Sequence, residues 1–214
     1  MAEYGFNELV MEVANNKKLF ASYAFNKNKE INENPREVFL SACEYIASVY
    51  YPYGFIYSKS GQHLTLKQKD NEFIYKISFQ SSHYNVPGEN VKIDVFANVL
   101  SHKYKKWKTE NKSVLTFETD NVMELNEYIG CGGNIGNLRK DKKYLSWNIG
   151  KIETREKEIE DIIDNINKIA IPYFKYFSDI NKLKFEMDNN TIIHYFRDKK
   201  TIDNFRKYIG CINY

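Results

Sequence analysis

Two alternating runs separated by one short turn constrain this chain more than any other feature. Phe73, Tyr75, Ile77 and Phe79 alternate with mostly polar residues, as do Val91, Ile93, Val95, Ala97 and Val99. A period of two places each set on one face of a strand, so both runs read as half-buried strands. Between them Asn85-Val86-Pro87-Gly88-Glu89-Asn90 supplies turn chemistry: proline presets φ and glycine accepts positive φ. So short a connection predicts antiparallel pairing, because parallel strands need a long crossover.

Helical periodicity surrounds this hairpin. Asn34 is placed to cap and Pro35 to fill the first position of a helix over Arg36 to Tyr50, where its missing N–H costs nothing. Val38, Phe39, Ala42, Cys43, Ile46, Ala47, Val49 and Tyr50 form its apolar face, which needs a sheet to cover. Pro52 and Gly54 end it. Phe55 to Gln68 then reads as a strand or short hairpin turning at Ser60-Gly61.

Thr119 to Ile129 predicts a short helix leading into a glycine-rich loop, Gly130 to Gly136, and Tyr144 to Ile149 predicts another strand. From Ile159 the positions Ile162, Ile163, Ile166, Ile169, Ala170, Tyr173, Phe174 and Phe177 make a continuous stripe, with Pro172 expected to kink or end that helix. A terminal helix is expected near Thr191 to Ile209, and an amphipathic N-terminal segment near Phe6 to Phe25. The expectation is one α+β domain with a mainly antiparallel sheet packed against helices. Residues 36–177 form its centre, with helical extensions over 1–35 and 178–214.

With 43% hydrophobic and 28% charged residues, neither disorder nor a membrane-embedded protein is indicated. The apolar stretches are interrupted before the roughly 20 residues a bilayer requires, so no membrane span is expected. The N-terminus lacks the flank and apolar region of a secretory signal, and Cys43, Cys131 and Cys211 are odd in number with no CxxC pair. A cytoplasmic location with reduced thiols, no metal and no cofactor follows as the expectation.

Each motif that suggests chemistry also has an ordinary structural explanation. Gly130-Cys131-Gly132-Gly133-Asn134-Ile135-Gly136 resembles a nucleotide loop only in composition, because a dinucleotide fingerprint joins a strand to a helix. It reads as a turn or flexible loop. His83, beside Ser81 and Ser82 at a strand end, and Cys131 are the candidates for a hydrolytic enzyme, but no catalytic set is assigned. His102-Lys103-Tyr104-Lys105-Lys106-Trp107-Lys108 interleaves cations and aromatic rings, as a nucleic-acid surface does, or marks a strand end protected by lysines.

Phe79-Gln80-Ser81-Ser82-His83-Tyr84-Asn85, Val91 to Val99 and Trp147-Asn148-Ile149, in the order helix, strand pair, strand, long helix, resemble a bacterial family of small proteins of unknown function. Some members look like immunity proteins of polymorphic-toxin loci. The resemblance covers residues 36–177 and implies an α+β fold and neutralisation of a nearby-encoded toxin by binding. It supplies no catalytic residue. The leading expectation is thus a non-catalytic protein-binding module, with Tyr84, Tyr104, Trp107 and Arg139 as partner contacts, since interfaces are enriched in Tyr, Trp and Arg. The alternative is nucleic-acid binding through residues 102–108.

Overall fold

The computed structural model describes residues 34–67, 72–116 and 128–212. The N-terminal segment expected to be helical lies outside the described residues, as does most of the segment from Thr119.

Helix α1, Pro35–Tyr50, starts where the sequence places it: the Asn34 side chain accepts the Arg36 N–H at 2.9 Å and Pro35 opens the first turn. A single 3₁₀ turn, Tyr51–Tyr53, and Gly54 at φ 88° end it. Strands β1 (Ile56–Ser58) and β2 (His63–Lys67) form the expected hairpin, followed by β3 (Ile74–Ser81) and β4 (Lys92–Leu100). All pair antiparallel in the order of the chain, and β3–β4 runs unbroken from Ile74 opposite Leu100 to Ser81 opposite Ile93. The sheet of an α+β fold is therefore six-stranded and antiparallel, with β5 (Tyr128–Asn134) and β6 (Trp147–Asn148) both paired to β4.

The alternation has its predicted effect. Tyr75, Ile77, Phe79, Ile93, Val95, Ala97 and Val99 are buried beneath helices, while Lys76, Ser78, Asp94, Phe96 and Asn98 on the other face are half-exposed. Helix α3 (Ile152–Asn165) continues through a π turn, Ile166–Ala170, into α4 (Ile171–Lys175). The rings of Phe174 and Tyr75 lie 5.1 Å apart, and Tyr50 donates a 2.9 Å hydrogen bond to Asn167, so α1 and the α3–α4 path share one side of the sheet. Pro172 does not end this path. Ile171 N–H bonds back five residues to Ile166, and the wider π turn absorbs the proline without breaking the stripe.

Three sequence expectations are corrected. The glycine-rich segment is strand β5, and Tyr128 and Ile129 belong to it rather than to a helix. It pairs with β4 across a register shift between Asn98 and Leu100, and Gly130, Gly132 and Gly133 have φ of 75°, 102° and 129°. A Cβ on Gly132 would lie 2.3 Å from the Ala97 carbonyl oxygen, so glycine here permits a close, irregular pairing with β4. Second, residues 102–108 are not a strand end but lie in helix α2, His102–Glu110. Ser101 caps it by accepting the Tyr104 N–H at 2.8 Å. Third, the terminal helix, α6 (Lys199–Cys211), begins later than expected, capped by Asp198. Ile193–Tyr195 make a 3₁₀ turn before it and Phe196 bridges Cys131 of β5.

Helix α5 (Ile180–Asp188) and α6 do more than extend the chain. Leu183, Met187, Ile192, Phe196, Phe205, Tyr208 and Ile209 join the same hydrophobic core as α1 and the sheet, with Phe205 reaching Phe73 and Tyr104 at 6.2 and 5.5 Å between ring centroids.

Candidate functional site

The β3–β4 turn is held by side-chain amides. Asn85 donates to Ser81 Oγ at 2.7 Å and accepts the Lys92 N–H at 3.0 Å, spanning the ends of both strands. Val86 and Asn90 exchange backbone hydrogen bonds of 2.7 and 3.0 Å, closing the tip around Pro87 and Gly88, whose φ is 70°. Asn148 of β6 completes the frame: its Oδ1 accepts the N–H groups of Val91 and Gly150 at 3.0 Å each, and its Nδ2 donates to the Glu89 carbonyl at 3.0 Å. Behind it, the buried Arg155 of α3 donates to the carbonyls of Ile149 and Gly150 at 2.7 and 2.9 Å. The turn is thus anchored through β6 to the helical layer.

On this frame sits Tyr84, 86% exposed, its N–H donated to Ser82 Oγ at 3.1 Å. Val86 beside it is 44% exposed, and His83 and Pro87 are exposed as well. The turn presents an aromatic ring and two apolar side chains on backbone that is already ordered.

The other expected contacts are placed differently. Tyr104 is 2% exposed and lies among Phe205, Tyr208 and Trp107. It is a core residue, not a surface anchor; burial pushes its phenol well above the usual range. Trp107 is half-buried, stacked on Tyr104 at 6.1 Å and 5.6 Å from Tyr208. Lys108 is also buried, its ammonium 4.5 Å from the centre of the Tyr104 ring. Tyr104 is therefore turned into the protein and Trp107 partly so, against the expectation of two surface anchors in this segment. Arg139 is exposed, paired with Asp141 at 2.8 Å, and belongs to the β5–β6 connection rather than to the turn. The structure brings none of these three residues to Tyr84.

His83 and Cys131 do not form a site together. His83 follows the end of β3 beside Ile93, whereas Cys131 sits in β5 near Asn98, toward the far end of the β3–β4 ladder. Cys131 is buried 3.0 Å from the Tyr173 hydroxyl, and burial pushes its thiol up to about 12 against the opposing effect of that hydrogen bond. Such a thiol is not a nucleophile at neutral pH.

A second polar cluster is buried near α2. Glu72 Oε1 accepts from Ser101 Oγ at 2.6 Å and from the Tyr208 hydroxyl, and Lys103 lies 3.0 Å from Oε2. Ser101 also caps α2, so this carboxylate ties the start of β3 to α2 and α6. Its acceptor positions are occupied from within, which suits a structural lock.

The β5–β6 connection is built around Asn134. Its Oδ1 accepts the N–H groups of Gly136 and Leu145 at 2.9 Å each, and its Nδ2 donates to the Leu145 carbonyl at 2.8 Å. Tyr144 returns to the sheet, donating to Asp94 at 2.9 Å. Between them Arg139 to Lys143 are exposed. His194 faces this loop: burial lowers its pKa, and the positive fields of Lys142 and Lys140 lower it further against the Thr191 carbonyl.

Asn90, legible in sequence as the last residue of the Pro-Gly turn, also donates its side-chain amide to the Tyr84 carbonyl at 3.4 Å, whereas nothing local in the sequence links Asn148 to Glu89. Among the described residues no cluster of three or more His, Cys, Asp or Glu is placed to hold a metal ion, and no helix is long and apolar enough to cross a membrane. Compared with known proteins, the chain matches no protein-family model, no curated protein and no solved structure.

Proposed function

We propose that the chain is a non-catalytic protein-binding module whose contact surface is centred on the β3–β4 turn. The observation that carries this reading is Tyr84, an aromatic ring 86% exposed on backbone held by Asn85, Asn90 and Asn148. A large exposed ring is normally driven inward; presented on ordered backbone, it associates with little further loss of conformational entropy. Aromatic anchors of this kind dominate interface energies, and Val86 supplies apolar surface beside the ring.

The resemblance carried by Phe79 to Asn85, Val91 to Val99 and Trp147 to Ile149 supports a finer reading: a cytoplasmic immunity protein that neutralises a toxin encoded nearby. The free cysteines Cys43, Cys131 and Cys211 suit that compartment. Co-expression with the products of adjacent genes tests both levels, with rescue from toxicity reporting the finer one. Tyr84→Ala is expected to weaken the complex by at least about tenfold, as loss of an interface anchor does, while leaving the melting temperature unchanged. Unchanged affinity in this variant rules out the turn as the contact surface, and no complex with any adjacent product rules out the immunity reading.

A further inference from the structure

Two basic runs, distant in sequence, stand toward opposite ends of the segment 193–200 that lies along the outer side of β5. Arg197 N–H bonds the Gly130 carbonyl at 3.1 Å and Phe196 bridges Cys131, so Arg197 to Lys200 lie beside the start of that strand. At the other end the Ile135–Leu138 turn packs against Ile193–Tyr195, and the fields of Lys142 and Lys140 reach His194. Arg139 and Arg197 are neutralised by Asp141 and Asp198, at 2.8 and 2.7 Å. Lys140, Lys142, Lys143, Lys199 and Lys200 are exposed, and among the described residues none of them is ion-paired. Cations thus flank the seven residues of β5, a length of about 20 Å.

This distribution runs against local electrostatics. Lys199 and Lys200 occupy the first two positions of α6, where the partial positive charge of a helix N-terminus disfavours cations and the capping carboxylate of Asp198 is already shared between Arg197 and the Thr201 N–H. Lys142 stands at φ 48° between Asp141 and another lysine, in the left-handed region that side chains other than glycine adopt uncommonly. Positions that break local rules are expected where function requires them. The chemistry of the band favours phosphates over a protein partner. Protein interface cores are depleted in lysine, whereas lysine is a common point-charge ligand for phosphate, and release of counterions from a polyanion drives such binding.

We propose that the outer side of β5, flanked by Lys140, Lys142 and Lys143 and by Lys199 and Lys200, binds the phosphate backbone of nucleic acid without reading its sequence. This surface is separate from the Tyr84 turn and does not depend on the protein-binding reading. The test is fluorescence anisotropy of the full chain with a labelled 20-nucleotide single strand and the matching duplex, titrated over a range of salt concentrations. Binding is expected at 50 mM salt, weakening as salt rises. Changing the five lysines to Gln should lower affinity at least tenfold and reduce the log–log salt slope by about 3. A control changing Lys105, Lys106, Lys112, Lys151 and Lys157 to Gln has the same net charge and should retain most of the binding, as should Tyr84→Ala. The two labelled forms show whether one strand suffices. Absence of binding at low salt, equal loss in the band and control variants, or equally tight binding of polyglutamate overturns the proposal.

Discussion

Asp198 shows how one side chain sets a boundary. Burial by itself would raise its carboxyl, but the Thr201 N–H at 2.8 Å, the Arg197 guanidinium and the Thr201 hydroxyl outweigh it and hold the group at about 2. A carboxyl depressed in the folded state contributes stability that is present above its ordinary value near 3.8 and lost as the pH falls through about 2. Asp198→Ala should cost about 1 kcal/mol in urea denaturation at pH 7. That difference from the native chain should shrink between pH 4 and pH 2. Thiol chemistry gives an independent reading of burial. Cys43 and Cys131 are buried, with both thiols pushed up, whereas Cys211 is exposed. A thiol reagent should label Cys211 rapidly in the native protein and reach the other two only in denaturant. Glu72 is the most consequential buried acid: removing it leaves Ser101 and Tyr208 without their acceptor. Glu72→Ala should therefore destabilise by about 3 kcal/mol, measured by the same denaturation.

At the scale of elements, strands and helices differ in how much of themselves they show in sequence. The β3–β4 hairpin and α1 were legible because apolar period, cap and turn chemistry all agree at Asn34-Pro35 and at Pro87-Gly88. Strand β5 was not. Its alternation is carried by Ile129 and Cys131 alone, and glycines at the intervening positions resemble a loop. They are tolerated because β4 supplies the partner backbone, and at Gly132 because only a hydrogen fits against the Ala97 carbonyl. Gly132→Ala forces a positive φ and a 2.3 Å approach at once, so a loss of about 3 kcal/mol or more is expected in thermal or chemical melts. Helix α2 was hidden for a different reason. Its lysines mask the spacing of Tyr104, Trp107 and Lys108, and the signal that would have found it was Ser101, a capping residue directly after a strand.

Across the whole molecule, one core runs from Val38 to Ile209. Phe205 meets Phe73, Tyr104 and Phe177, so α6 packs where β3 and α2 begin and α4 ends. A chain ending at Phe177 would expose this cluster, and its thermal unfolding should lose the single cooperative transition expected of the full chain. What the sequence by itself determined was local: the antiparallel hairpin, the capped α1 and the long apolar stripe, because strand period, helix period and capping act within a few residues. Tertiary structure alone decided that Tyr104 faces inward while Tyr84 faces solvent, that Asn148 frames a turn almost sixty residues away, and that two lysine runs stand at the two ends of β5. Those outcomes depend on which elements become neighbours, and the packing that chooses neighbours joins residues far apart in the chain.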